Sequence, residues 1–225
     1  MESLTFRSVK GREIKNFIFG NIEPTVLVIG GIHGDEGPGA QLAKEFVRYL
    51  STLPLQAIHG RIVVIPVANP DGFFAGTRVN ARGIDINRNF PTKDFRQGRF
   101  KKSCYPGRQP ASEPETVAIL QIASQFEPQL ILTFHSEMGC VNFDGPAAEV
   151  AKAISSANGL PVRQDLGYRT PGSLGTYFGV ERNIPVITLE LLGQDNQWER
   201  HGKAILESVL FIQEHVTADC NEAYM

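Results

Sequence analysis

The chain has 225 residues, 42% of them hydrophobic and 20% charged, which is enough apolar material for a complete core and short enough for one domain or at most two small ones. Its 22 Lys and Arg nearly balance 24 Asp and Glu, for a formal charge of −2. That balance excludes a general nucleic-acid binder held by a basic field, and a long acidic solvating tail.

The opening stretch MESLTFRSVKGREIK alternates charged and apolar residues and lacks the apolar core of a secretory signal, so a cytoplasmic location is expected. Thr5–Val9 and Glu13–Phe19 alternate around Lys10-Gly11, which predicts a hairpin within residues 1–22 belonging to the same domain as the rest. After Pro24 the pattern changes to buried strands. Thr25–Gly30 is a β-branched run ending in Gly30-Gly31, and Leu42, Phe46, Val47 and Leu50 then fall at helical spacing within Pro38–Leu50. Arg61–Val67 predicts a second buried strand. Such runs are broken within about eight residues, far short of the roughly 18 to 20 that span a bilayer, so no membrane crossing is expected.

From Asn69 to Ala111 the chain is rich in Gly, Pro, Asn and Arg, which predicts a long site-building loop with an ordinary turn at Asn69-Pro70-Asp71-Gly72. Ser112-Glu113-Pro114-Glu115 has the form of a capping box, with Ser112 as N-cap, opening a helix through about Phe126. Gln129–Phe134 is a third buried strand, Ala147–Asn158 a helix, Pro185–Leu191 a fourth strand and Trp198–His215 a closing helix. Strands alternating with helices predict one α/β domain over residues 1–225, with a mixed, mostly parallel sheet covered on both faces and its site in the loops beyond the strand ends. The three cysteines, Cys104, Cys140 and Cys220, have no CxxC spacing and are expected to be free thiols, a Cys104–Cys140 bridge being the alternative.

The residues capable of chemistry sit at those strand ends. His33-Gly34-Asp35-Glu36 follows the first long strand, where an imidazole and a carboxylate in a glycine-rich loop can converge on one metal. His135 ends the run Gln129–Phe134 and would project into the same crevice. Two His and one Glu with an open fourth position is the ligand set of a catalytic zinc. His59, His201 and His215 fall in a turn or on the last helix, where a solvated side chain or a helix-dipole contact is expected instead. Glu190 interrupts a buried strand, a costly place for a carboxylate unless it is paired or catalytic. Arg88 can grip a carboxylate bidentately where Lys could not.

Taken together, HxxE at His33/Glu36, NPDG at Asn69–Gly72, Arg78, the NRN of Asn87–Asn89, His135-Ser136 and Glu190 closing a strand resemble the zinc carboxypeptidases of peptidase family M14. The likeness runs from about Val26 to Leu191 and implies the zinc-carboxypeptidase fold. It implies one zinc per chain on His33, Glu36 and His135, with Glu190 as the base for water and later the acid for the leaving group. Arg78 would polarise the scissile carbonyl, and Asn87 and Arg88 would bind a terminal carboxylate. Tyr168 falls where the family's mobile tyrosine would, with Tyr177 the competing candidate.

Within the family, GIHGDE, SEPET, GYRTPGSLGTY and VITLEL look most like the small bacterial murein peptide amidases. Those are cytosolic enzymes that cut the γ-D-glutamyl–meso-diaminopimelate amide of recycled cell-wall peptides. The resemblance implies a murein tripeptide as partner and an added acid in the pocket, for which Glu137, Asp144 and Asp195 are candidates. A monomer and a homodimer are both compatible with it. The alternative is a deacylase resembling succinylglutamate desuccinylase or aspartoacylase. The intact GxDxNRNF stretch, and the lack of room for an added β-domain after Glu190, are expected to disfavour it. A non-catalytic muropeptide sensor would be marked by a lost ligand or base, and none is missing.

Overall fold

The uninterrupted apolar runs become strands because only a sheet covered on both faces removes every one of their side chains from water. β4 (Thr25–Ile29) is buried at every position, and β5 (Arg61–Ile65), β6 (Leu130–Ser136) and β9 (Val186–Leu191) are nearly so. This computed structural model describes residues 4–96 and 99–222. With β3 (Phe17–Phe19), β7 (Cys140–Asp144) and β8 (Val162–Arg163), these strands make a seven-stranded sheet in the order β3-β5-β4-β6-β9-β7-β8. The β5, β4, β6 and β9 core is parallel throughout, while β3 on β5 and β7 on β9 are antiparallel.

One face of the sheet packs against α1 (Gly37–Thr52), α4 (Ala148–Asn158) and α5 (Gln197–Glu222), with Leu42, Phe46, Leu132, Phe134, Leu189 and Ile205 in one cluster. The other packs Leu27, Ile29, Val63 and Ile131 against α3 (Pro114–Phe126), through Ile119, Ile122 and Phe126. Phe46 is fully buried, and burying a side chain of that size stabilises by about 1.5–3 kcal/mol.

Several sequence expectations change. The first 22 residues do not form one long hairpin. β1 (Phe6–Arg7) pairs with β2 (Glu13–Ile14) as a separate ribbon, whereas β3 leaves it to pair with Phe17 opposite Val64 on β5. The ribbon is held to the body by Asp71, which accepts from the Lys10 N–H at 2.9 Å and from Arg12 Nη1 at 2.6 Å. The long loop also carries structure. Asn69 caps α2 (Pro70–Ala75) by accepting from the Gly72 N–H at 2.9 Å, so NPDG is a helix start, with proline where no N–H is needed.

Ser112 is not an N-cap. Pro114 lies in the first turn of α3, Glu113 takes the cap position, and the Ser112 hydroxyl donates to Glu113. Glu115 turns inward and accepts from the Val9 N–H and from Asn80 Nδ2, which also donates to Glu113. Strand β7 was not anticipated, because Asn142 and Asp144 give it too little apolar character to read as buried. His201 is buried rather than solvated, and accepts at Nδ1 from Asn158 Nδ2 at 3.3 Å. His59 is exposed, and Cys104 and Cys140 are free thiols. The side chains of His215 and Cys220 lie outside the described residues.

Candidate active site

The parallel strands β4, β6 and β9 all deliver their carboxyl ends to one edge of the sheet. From β4 the chain first moves to β5 on one side and later to β6 on the other, so a crevice opens where the strand order reverses. His33 and Glu36 follow β4 across this point, and His135 lies at the end of β6. Register then fixes the rest, because His135 stands directly opposite Glu190 on β9. The two-residue period of strands puts Thr188 on the same face as Glu190, and Asn142 on the same face as Asp144. Gly34 makes the loop possible, since a Cβ there would overlap the backbone of Gly72.

His33 Nδ1 lies 2.8 Å from Glu36 Oε1, His135 Nδ1 lies 2.8 Å from Glu36 Oε2, and the two imidazole nitrogens are 3.1 Å apart. One ligand atom from each residue falls within 4.8 Å of the others, and all three side chains are buried. Two ring nitrogens and a carboxylate oxygen converging in this way fit a single divalent cation, and the N₂O donor set suits zinc.

Asp85, the acidic residue of the GxDxNRNF stretch and without a role in the sequence reading, organises this centre. It is fully buried, meets His33 Nε2 at 3.0 Å through Oδ1 and accepts from Arg78 Nε at 3.0 Å through Oδ2. By holding Nε2 it leaves Nδ1 for a cation, the usual arrangement around a ligating histidine. Burial by itself would lower the His33 pKa, but attraction from Asp85 and then Glu36 overrides it and raises it to about 9. Burial likewise opposes ionisation of Asp85, yet His33, Arg78 and Arg88 hold its carboxyl well below the usual range. No motif reading ties Asp85 to His33, which is 52 positions away.

A cavity of about 180 Å³ opens on the three residues. Glu190 lines it, 7% exposed, and burial raises its pKa above that of an ordinary glutamate. Arg78 lines it too, tied to Asp85 and, at 3.3 Å, to Glu36. Asn87 accepts from the Leu174 N–H at 2.9 Å through its side-chain oxygen, so its NH₂ group remains to donate. Arg88 is buried beside it, and Nη1 donates to the Asn87 carbonyl at 2.7 Å.

The three candidate acids separate. Asp144 lines the cavity and burial raises its pKa, whereas Glu137 and Asp195 are exposed and outside the lining. The tyrosines separate as well. Tyr168 lines the cavity, 54% exposed, with its hydroxyl 3.7 Å from Met138 Sδ. Tyr177 packs on Phe90 and Phe178 beneath Arg182, away from the cavity. Thr188 and Asn142 also line the cavity and escaped the sequence reading, since polar residues in a strand carry no signature of their own.

Three residues able to hold a metal ion, a buried carboxylate and two arginines at the switch point of an α/β sheet are the arrangement that suits a metal-dependent hydrolase. Residues 3–191 match the zinc carboxypeptidase family of peptidases, M14, and the chain belongs to that family. It is 33% identical to murein peptide amidase A of Escherichia coli K12 over 175 residues, covering 73% of this chain and 69% of that protein. It is 31% identical to the Vibrio campbellii protein of the same name, over 80% of this chain and 75% of that one. The solved murein-tripeptide amidase of Escherichia coli O157 superposes with a TM-score of 0.76 at 28% identity, covering 92% of this chain and 90% of that one. Thrombin-activatable fibrinolysis inhibitor, at 18% identity and a TM-score of 0.79 over 97% of this chain and 72% of that one, shares the fold. No helix among the described residues is long and apolar enough to cross a membrane.

Proposed function

We propose that the protein is a zinc-dependent amidase that hydrolyses the γ-D-glutamyl–meso-diaminopimelate amide of murein peptides, in cytoplasmic recycling of the cell wall. The observation that carries this reading is a pocket that sets Asn87 and Arg88 in one cavity with Asp144. Meso-diaminopimelate bears both a carboxylate and an ammonium beyond the scissile amide, and such a pocket offers each a partner of opposite charge. The likeness to murein peptide amidases supports the same substrate class.

His33, Glu36 and His135 would hold one zinc ion. When bound, zinc supplies a Lewis acid that makes water more acidic and polarises the amide carbonyl. Glu190 takes the proton from the attacking water and later gives it to the leaving amine, and its raised pKa suits both halves of that exchange. Arg78, anchored by Asp85, offers positive charge to the developing oxyanion. Arg88 and the Asn87 NH₂ bind the carboxylate of the leaving residue, and Asp144 its ammonium. Tyr168 closes over the bound peptide from the rim, while Glu137 and Asp195 have no part in this reading.

The test is hydrolysis by the zinc-loaded protein of L-Ala-γ-D-Glu-meso-diaminopimelate, beside an N-succinyl amino acid and a peptide ending in an ordinary L-residue. Release of diaminopimelate from the first alone is expected. Succinate release would move the protein to the deacylases, and cleavage of the ordinary peptide at an equal rate would refute the assigned specificity.

A further inference from the structure

The inner pocket accommodates the leaving half of a substrate and leaves the acyl half unaccounted for. A second cavity, of about 580 Å³, adjoins the first along a shared wall of Arg78, Arg88 and Tyr168. Its remaining lining includes Arg99, Phe100, Lys101 and Arg169. Five of the lining side chains are cationic and none of those described is acidic. This concentration stands out in a chain whose formal charge is −2.

Two of the five cations are already engaged. Arg78 pairs with Glu36 and Asp85, and Arg88 serves the leaving-side carboxylate in the proposed reading. Arg99, Lys101 and Arg169 take part in none of the ion pairs among the described residues. Like charges gathered around one concavity repel each other unless an anion joins them, and a low-dielectric wall focuses their field on whatever enters.

We infer that this second cavity is a subsite for a carboxylate carried on the acyl side of the scissile amide. Because the two cavities share Arg78, Arg88 and Tyr168, a substrate whose leaving residue fills the inner pocket can continue past them into the cationic cavity. The occupant follows from the linkage. A γ-glutamyl amide leaves the α-carboxylate of the glutamyl residue free near the reacting carbonyl, whereas an ordinary α-peptide has a neutral amide there. The cavity therefore selects γ-linked acidic acyl groups, while the inner pocket selects the amine. The name of the occupant rests on the amidase reading. The existence of an anion subsite rests on the cavity alone.

Two measurements keep these apart. In the first, the zinc-loaded protein and its R99Q/R169Q variant are assayed on L-Ala-γ-D-Glu-meso-diaminopimelate and on the same peptide with the glutamyl α-carboxylate converted to carboxamide. The wild type is expected to favour the carboxylate in kcat/KM by about 10-fold or more, the worth of a charge-assisted hydrogen bond, and the variant to lose most of that ratio. In the second, calorimetry follows binding of the acyl product L-Ala-D-Glu, which needs no turnover. Its affinity should fall by a similar factor in the variant and weaken with added salt. Equal L-Ala-D-Glu binding by both proteins would overturn the subsite whatever the substrate, as would an unchanged carboxylate preference in the variant. Absence of turnover by the wild type, with L-Ala-D-Glu binding lost in the variant, would refute the amidase reading and leave the subsite standing.

Discussion

Replacing Asp85 by Asn tests whether the metal centre is built from behind. The carboxylate is fully buried and accepts at 2.9 Å from the Asn87 N–H and at 3.0 Å from Arg78, besides meeting His33 Nε2 at 3.0 Å. Asn has the same shape but carries no charge and only one acceptor. If its oxygen stays on His33 and Asn87, its NH₂ faces Arg78 Nε–H, donor against donor. One charge-assisted hydrogen bond is lost, about 1.5–3 kcal/mol, and the remaining ones weaken. At the metal, loss of such a partner lowers affinity by about 10- to 100-fold, or roughly 1.4–2.8 kcal/mol. Competition with a chelator of known zinc affinity measures this directly. Turnover at saturating zinc then separates the second effect, a freed Arg78, as a lower kcat. A D85N protein that folds normally and binds zinc within about threefold of wild type would refute the argument that Asp85 sets the His33 ligand.

Glu190→Gln is expected to retain zinc and lose about 10²- to 10⁴-fold in kcat, the usual worth of a positioned acid–base group; metal content by atomic absorption beside steady-state rates checks both halves. Asp144→Asn should weaken selection for a leaving residue bearing an ammonium by about 10- to 100-fold in kcat/KM, read against a substrate with an uncharged side chain at that position. Gly175→Ala should act in the same direction, because its Cβ would overlap Asp144 Oδ2. His201 predicts a pH effect on stability. Burial, then Arg200, lowers its pKa to about 4, and Asn158 donates to it, so the folded protein holds it neutral. The unfolded chain takes up that proton near pH 6.5, so stability falls as pH drops from 6.5 to 4, by up to about 1.4 kcal/mol per pH unit, and this group adds no further loss below that. Urea titrations of wild type and His201→Gln at several pH values should show a stability difference between the two that changes with pH in that window and is constant outside it.

The frame of this protein is written locally. TVLVI and RIVVI carry buried apolar residues on both faces, and VITLEL does so except where Thr188 and Glu190 turn to the cleft, a pattern that interior strands of a mostly parallel sheet satisfy, and the helices between them show their own period. Three residues of the candidate site are legible for the same reason. His33, His135 and Glu190 are polar groups at the ends of buried runs, where their cost demands a use. What the sequence leaves open is every choice that depends on which distant segments meet. Asp85 reaches His33 only because the long loop folds back over the end of β4. Strand β7 hides its nature because Asn142 and Asp144 face a cavity rather than a core. Only the family resemblance favours Tyr168 over Tyr177 in the chain, and packing sends the first to the cleft and the second under Arg182. Arg99, Lys101 and Arg169 are unremarkable surface cations until the loops that carry them close on one space. Local pattern records which apolar runs are buried, since their periodicity is a property of the segment itself, whereas the burial and the partner of a polar or charged side chain are fixed only when the tertiary fold brings two remote segments within a few ångströms.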